Sequence, residues 1–229
     1  TVDRITENFN ASTTQIKEML KPVAGTVSGN SKYGYVFSNR DNLSAKAINR
    51  LQAEGYAVSI LKEDFEVMNA GSVVVRSKRG LDAEVGELSK ALGIDFKGVS
   101  ANPAVEKVEL KKIKVGIYKS WQANMDEGWS RWMLEQFEFD LDTLHNVDVQ
   151  KGNLAQYSAI IIPSQRPSSI MNGNNRAPER FVGGVAETGV AALDAYAKNG
   201  GVLIFFDEAS DFAIEAFKLP ITNVLKELE

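Results

Sequence analysis

The sequence predicts an α/β protein: a small α/β module followed by a doubly wound, mainly parallel-sheet domain. Three observations carry this reading. Short β-rich runs alternate with helix-patterned stretches along the 229 residues. Two of those runs, AIII at 159–162 and VLIFF at 202–206, are apolar throughout, as strands in the middle of a parallel sheet are. Glycines close the helical patterns: Gly55, Gly93 and the pair Gly200 and Gly201 each follow an apolar helical repeat.

The elements follow in order. Residues 1–32 are an opening segment. Ser12 and Gln15 have capping-box spacing, Ile16, Met19 and Leu20 share one helical face, and Pro22 stops that helix. Residues 25–32 are a polar connection. The small α/β module spans 33–104. A strand at 33–37 leads to a helix capped by Asn42 with Leu43, Ala47, Ile48 and Leu51 on its apolar face. Strands at 56–61 and 72–75 follow, then a helix capped by Asp82 with Val85, Leu88, Ala91 and Leu92, then a strand at 94–99. Residues 101–112, around Pro103, read as a linker, and the second domain is assigned to 105–229.

The second domain opens with a strand at 113–117. A helix at 126–137 has acids in its first turn, where the helix dipole favours them, and Trp129, Met133 and Phe137 on one face. Strands at 139–144 and 159–162 precede a long loop, 163–186. A helix at 189–198, a buried strand at 202–206 and a helix from Ser210 or Asp211 to about Leu219 complete it.

Composition narrows the function. Apolar residues at 44% and charged residues at 24% fit a globular protein with a sizeable core. The net charge is -4: residues 1–110 carry 14 basic and 14 acidic side chains, residues 111–229 carry 12 and 16. Neither half has the positive field that a nucleic-acid partner requires. The one basic cluster, Lys111, Lys112 and Lys114, reads as solvated linker. No run approaches the roughly 18 apolar residues of a membrane span. The chain starts at Thr1 without a signal-peptide pattern and reads as an excised or processed segment.

Open parallel sheets bind ligands outside the carboxyl ends of their strands. Three such ends are Lys119, Ser120, Trp121 and Gln122; Ser164, Gln165 and Arg166; and Asp207, Glu208 and Ser210. Lys119, Trp121, Gln122, Gln165, Asp207 and Glu208 are the ligand-binding candidates. In one reading Lys119, Gln165 and Glu208 converge on a small polar ligand. In the other, Trp121, Trp129 and Trp132 pack the first helix of the domain and the polar groups satisfy loop backbone. The glycines of the 163–186 loop lack the G-x-G-x-x-G spacing of a phosphate cradle.

Catalytic patterns are missing. There is no cysteine and no G-x-S-x-G elbow. Ser120, Ser164 and Ser210 would need a neighbouring base. His145 is the sole histidine, too few for a zinc site, and reads as a surface or packing residue. Asp207, Glu208 and Asp211 lie close in sequence and leave an all-carboxylate magnesium or calcium site open, although the commoner role of such residues is helix capping. No catalytic residue and no metal ligand is assigned.

Four runs carry a resemblance: VGIYKSWQANMDEGWSRW at 115–132, AIIIPSQ at 159–165, GGVAETG at 183–189, and GGVLIFFDEASDFAIE at 200–215 with Leu219, Pro220 and NVL at 223–225. Together they resemble the C-terminal region of large bacterial proteins of the M14 zinc carboxypeptidase family. AGSVVV at 70–75 resembles a segment between that family's peptidase domain and this region. The resemblance covers most of 33–229, and the run at 115–132 is its most specific part. It implies a parent with an N-terminal zinc peptidase domain carrying H-x-x-E, a distant third His and a catalytic Glu. None of these maps onto this chain: the residue three after His145 is Asp148. The resemblance therefore implies a non-catalytic accessory region of an exported metallocarboxypeptidase, with proteolysis and zinc belonging to the peptidase domain. Its partners would be that domain and a peptide or glycan.

The second module also resembles the class I glutamine amidotransferase-like fold. There a nucleophilic Cys follows a Gly-Gly-plus-strand segment. Here Gly200, Gly201 and the strand lead to Asp207 and Glu208, with no Cys and no downstream His. The alternative functions are a small-ligand binding module, or a cryptic hydrolase using Glu208 or Ser210, in the crevice at the strand ends.

Overall fold

A computed structural model describes residues 12–19 and 23–225. It contains two sheets. The first has six strands in the order β1-β5-β2-β4-β3-β6: β1 (Val27–Gly29), β2 (Gly34–Phe37), β3 (Val58–Leu61), β4 (Val73–Arg76), β5 (Phe96–Val99) and β6 (Lys107–Glu109). Only the β1–β5 pair is parallel; the others are antiparallel. Strand alternation sorts the side chains to two faces. Tyr35, Phe37, Val73 and Val75 meet α1 (Leu43–Ala53) and α2 (Leu81–Leu92) through Ala47, Leu51, Val85 and Leu88. Val36, Val74 and Val99 face the other way, under Phe65, Met68 and Val105.

The second sheet has four parallel strands in the order β10-β9-β7-β8: β7 (Lys114–Tyr118), β8 (Asp140–Leu144), β9 (Ala159–Ile162) and β10 (Val202–Phe205). Helices lie on both faces. Val115, Ile117 and Ile161 pack under α3 (Met125–Gln136) through Leu134. Tyr118, Ile160 and Ile162 pack against α4 (Asn146–Lys151), α5 (Pro167–Asn172), α6 (Ala186–Lys198) and α7 (Ala209–Ala216).

Several expectations are corrected. Residues 12–19 are not helical, and Ile16 and Met19 are exposed; without a surface to bury them, capping-box spacing alone does not sustain a short helix. Leu20 and Pro22 lie outside the described residues. Asn42 holds the N-cap position of α1, but its side chain makes no capping bond; Asp41 Oδ1 accepts from the Leu43 amide at 2.7 Å instead. Asp82 is not the cap of α2. Gly80, at φ 95°, holds that position, and Asp82 accepts from the Tyr35 hydroxyl at 2.8 Å. Residues 107–109, read as linker, pair with β3. The 163–186 loop contains α5 and a 3₁₀ turn (Glu179–Phe181).

The largest correction concerns β10. Among the described residues it lies at the sheet edge and pairs only with β9. Its register places Val202 and Ile204 on the same face as Ile161, the face that α3 covers over β7 and β8. They are 51% and 37% exposed. An apolar run looks the same whether a strand is central or at an open edge.

The two units meet where α1 caps the end of α3. Lys46 Nζ donates to the Gln136 carbonyl at 2.9 Å and Asn49 Nδ2 to the Phe137 carbonyl at 2.8 Å, satisfying orphan helix-end acceptors. α3 ends in a Schellman motif, Phe139 N–H to Leu134 O and Glu138 N–H to Glu135 O, with Leu134 and Phe139 in one apolar cluster. The left-handed position is held by Glu138, at φ 59°. Its carboxylate receives a bidentate Arg50, Nε at 3.0 Å and Nη2 on the other oxygen, with Lys46 Nζ at 3.3 Å. The Arg50 bonds hold the Glu138 carboxyl below its ordinary pKa, against a smaller desolvation effect.

This junction titrates with a defined sign. A depressed folded pKa adds stability above the ordinary Glu value, and that stability is lost as pH falls through the lowered value. Glu138→Gln should lower stability at neutral pH by about 1 kcal/mol or less, since the pair is a third exposed. The gap from the unaltered chain should close as the pH falls below the carboxylate range, read from urea midpoints across pH.

Candidate functional site

The carboxyl ends of β7, β9 and β10 are tied together by side chains from the loops that follow them. After β7 the chain must turn into α3, and Asn124 makes that turn. Its backbone is extended, φ -136°, and its Oδ1 accepts from the amides of Asp126 at 2.9 Å and Glu127 at 3.1 Å. Its Nδ2 donates to the Ser164 carbonyl at 2.9 Å, so one side chain caps α3 and reaches the end of β9.

Glu127 is the one buried residue of α3, 2% exposed. Its Oε1 accepts from Arg131 Nε at 2.8 Å, and its Oε2 stands 3.5 Å from Lys119 Nζ. A buried carboxylate needs such partners to offset its desolvation. The result turns the helix over. Met125, Trp129, Trp132 and Met133 lie opposite Glu127 on the helical wheel. All four are exposed, Trp129 at 62% and Trp132 at 54%, and the two indoles meet edge to face at 5.8 Å. The reading that Trp129 and Trp132 pack this helix is therefore corrected.

Trp121 is also partly exposed, but it is engaged. It stacks on His145 with ring centroids 3.8 Å apart and planes 10° from parallel, and Phe181 tilts against it at 4.8 Å. His145 Nδ1 lies 2.8 Å from the Lys119 carbonyl. A carbonyl only accepts, so Nδ1 carries the proton in that contact. Ser120 Oγ receives Gln165 Nε2 at 2.9 Å and the Gln122 amide at 3.3 Å. Below this rim, burial pushes the Tyr118 phenol pKa well up, and its hydroxyl donates to Asn146 Oδ1 at 2.7 Å.

The loop glycines have a steric role. Asn146 Nδ2 and Gln150 Nε2 donate to the Gly183 and Gly184 carbonyls. A Cβ on Gly173 would stand 1.8 Å from the Gly183 carbonyl oxygen, and one on Gly184 2.3 Å from that of Ile170. Two backbones cross where no side chain fits.

Lys119 and Trp121 thus meet through His145, and Gln165 and the Gln122 backbone meet through Ser120. Asp207, at φ 45° in the turn after β10, accepts from Ser164 Oγ at 3.2 Å. Glu208 is elsewhere. Among the described residues no hydrogen bond or ion pair links it to Lys119 or Gln165, and it lines a separate cavity with Arg166 and Asp211. Glu208 holds the N-cap position of α7 without a side-chain cap. Among the described residues no group of three or more His, Cys, Asp or Glu side chains is placed to hold a metal ion.

No family model, curated protein or solved structure matches the chain.

Sequence reasoning missed Asn124 and the inward turn of Glu127. The available signals were the Glu127 and Arg131 pair at i, i+4 and the Met125, Trp129, Trp132 stripe at spacings of four and three. Glu127→Ala should lower stability by about 1–3 kcal/mol, because Lys119 and Arg131 lose their shared acceptor but relax toward water. Urea denaturation checks this; an unchanged midpoint would show that the carboxylate does not anchor α3.

Proposed function

We propose that this chain is a non-catalytic accessory region of an M14-like zinc metallocarboxypeptidase, built on a glutamine amidotransferase-like fold, that docks on the parent's peptidase domain. The single observation supporting this reading is the outward aromatic face of α3. The run that most specifically resembles the M14-associated region, 115–132, contributes Met125, Trp129 and Trp132 to that face. Core packing does not require them there. Clustered aromatic and methionine side chains are the composition of protein-binding surfaces, and contiguous exposed apolar surface marks interaction sites.

Proteolysis and zinc then belong to the parent's peptidase domain, and this region positions or shields its cleft. Export follows from the same resemblance. With zinc supplied, the full-length parent should bind stoichiometric metal and release C-terminal residues, and the isolated chain should do neither. In the parent, Trp129→Glu with Trp132→Glu should separate the region from the peptidase domain, seen as a larger radius of gyration in solution scattering. The isolated chain's melting temperature should hardly move, since both indoles are exposed. Peptidase activity in the isolated chain, or an unaltered radius in the doubly substituted parent, would overturn the proposal.

A further inference from the structure

The contact between the two units is polar and loosely packed. Among the described residues, every hydrogen bond and ion pair across it runs from Lys46, Asn49 or Arg50 of α1 to residues 136–138 at the end of α3. Among those residues no cluster of buried apolar side chains spans it; each cluster stays within one unit. Hollows lie beside it. One of about 460 Å³ separates the start of α1 from Met133, Leu134 and Phe137, and one of about 200 Å³ separates the end of α1 from Ile113 and Asp140. Protein interiors are close-packed, whereas a small polar contact between domains permits relative motion.

The chain crosses from one unit to the other through a short connection with firm ends. Leu110 belongs to the first unit: its amide donates to the Val58 carbonyl at 2.8 Å, its carbonyl accepts from Gln52 Nε2 at 2.8 Å, and its side chain packs on the first core. Lys114 belongs to the second unit, where it opens β7 and its amide donates to Ser158 Oγ at 3.2 Å. Between them Lys111, Lys112 and Ile113 are exposed and have no regular structure. Hinges are a few loop residues of this kind that absorb a change in backbone angles. Lys112 pairs at 3.5 Å with Asp140 of the second unit and would move with it.

We propose that the two units swing about residues 111–113, and that Lys46, Asn49 and Arg50 on the end of α3 form an ionic clasp that sets the balance between a closed and an open arrangement. The structure holds the closed one. Opening hands the Gln136 and Phe137 carbonyls to water, so their hydrogen bonds are exchanged rather than lost. The charged side chains of the clasp are partly solvated already: Lys46 is 23%, Arg50 33% and Glu138 36% exposed. Ion pairs of that exposure contribute little and are screened by salt. Leu134 and Phe137 are half-buried in the closed arrangement, and opening uncovers them. Ionic strength therefore governs how much of this apolar surface shows. The inference uses neither the aromatic face of α3 nor the parent peptidase.

The sequence contains no cysteine, so two spin labels can be placed cleanly, at Ala91→Cys on α2 and Ala191→Cys on α6, both exposed. Double electron–electron resonance then reads the distance between the units. One distance should dominate at about 0.01 M salt, and a second population should grow at about 1 M, with the open-to-closed ratio rising about threefold to fivefold. Glu138→Gln should raise that ratio by a similar factor at low salt and remove most of the salt response. Glu66→Gln, which removes the Lys97 ion pair within the first unit, should leave the distances as they are. Far-UV circular dichroism reports whether each variant keeps its fold; if Glu138→Gln does not, the salt titration of the labelled, otherwise unaltered chain decides. A single distance that neither salt nor Glu138→Gln changes would overturn the hinge. A salt response kept in full by folded Glu138→Gln would overturn the clasp.

Discussion

The burial of Glu127 sets the rotation of α3, and much of the second unit follows from it. Asn124 starts the helix at the end of β7, and the carboxylate three residues on turns inward to meet Arg131 and Lys119. Helical periodicity then leaves no choice for the rest. Leu134, two turns along the same side, makes the contact with Val115, Ile117 and Ile161. Met125, Trp129 and Trp132 must face solvent. A helix whose inner end is ionic and whose outer side is aromatic inverts the usual amphipathic plan. The same carboxylate holds Lys119 in the rim network, so the attitude of the helix and the shape of the strand-end loops are coupled.

Coverage of the parallel sheet is correspondingly uneven. Among the described residues, four helices pack on one face and α3 alone on the other. A parallel sheet is ordinarily enclosed on both sides. Here β7 and β8 are covered on the α3 side, and β10 leaves Val202 and Ile204 partly exposed there. The exposed aromatic side of α3 and the partly exposed strip of β10 belong to the same side of the molecule. At the carboxyl ends of the strands, the polar groups mostly satisfy one another: Gln165 with Ser120, His145 with Lys119, Ser164 with Asp207.

The elements with strong periodicity were legible from residues alone. β9 spans Ala159–Ile162 as its apolar run indicates, and α2 ends at Gly93 as the glycine indicates. Features set by neighbours were not. The run at β6 is polar and short, and only pairing with β3 makes it a strand. The run at β10 could not declare that one flank is open. Orientation was the hardest feature to read. The stripe of Trp129 and Met133 signals a helix face, but which face turns inward depends on whether a buried carboxylate finds cations, and Lys119 lies in a preceding loop. At the candidate site, the presence of polar and aromatic groups at three strand ends was readable. The separation of Glu208 from Lys119 and Gln165 was not, because it depends on where the α5 and α7 segments settle.

Glu138 ends α3 in a conformation where glycine would rest without strain, and it is not glycine. Its side chain is the one that Arg50 and Lys46 reach from the other unit. A single position therefore serves two masters. Glycine there would relax the helix terminus and release the neighbouring unit; glutamate keeps the units fastened and accepts a contorted backbone. Local comfort and long-range attachment cannot both be maximised at this residue, and the chain has settled for attachment.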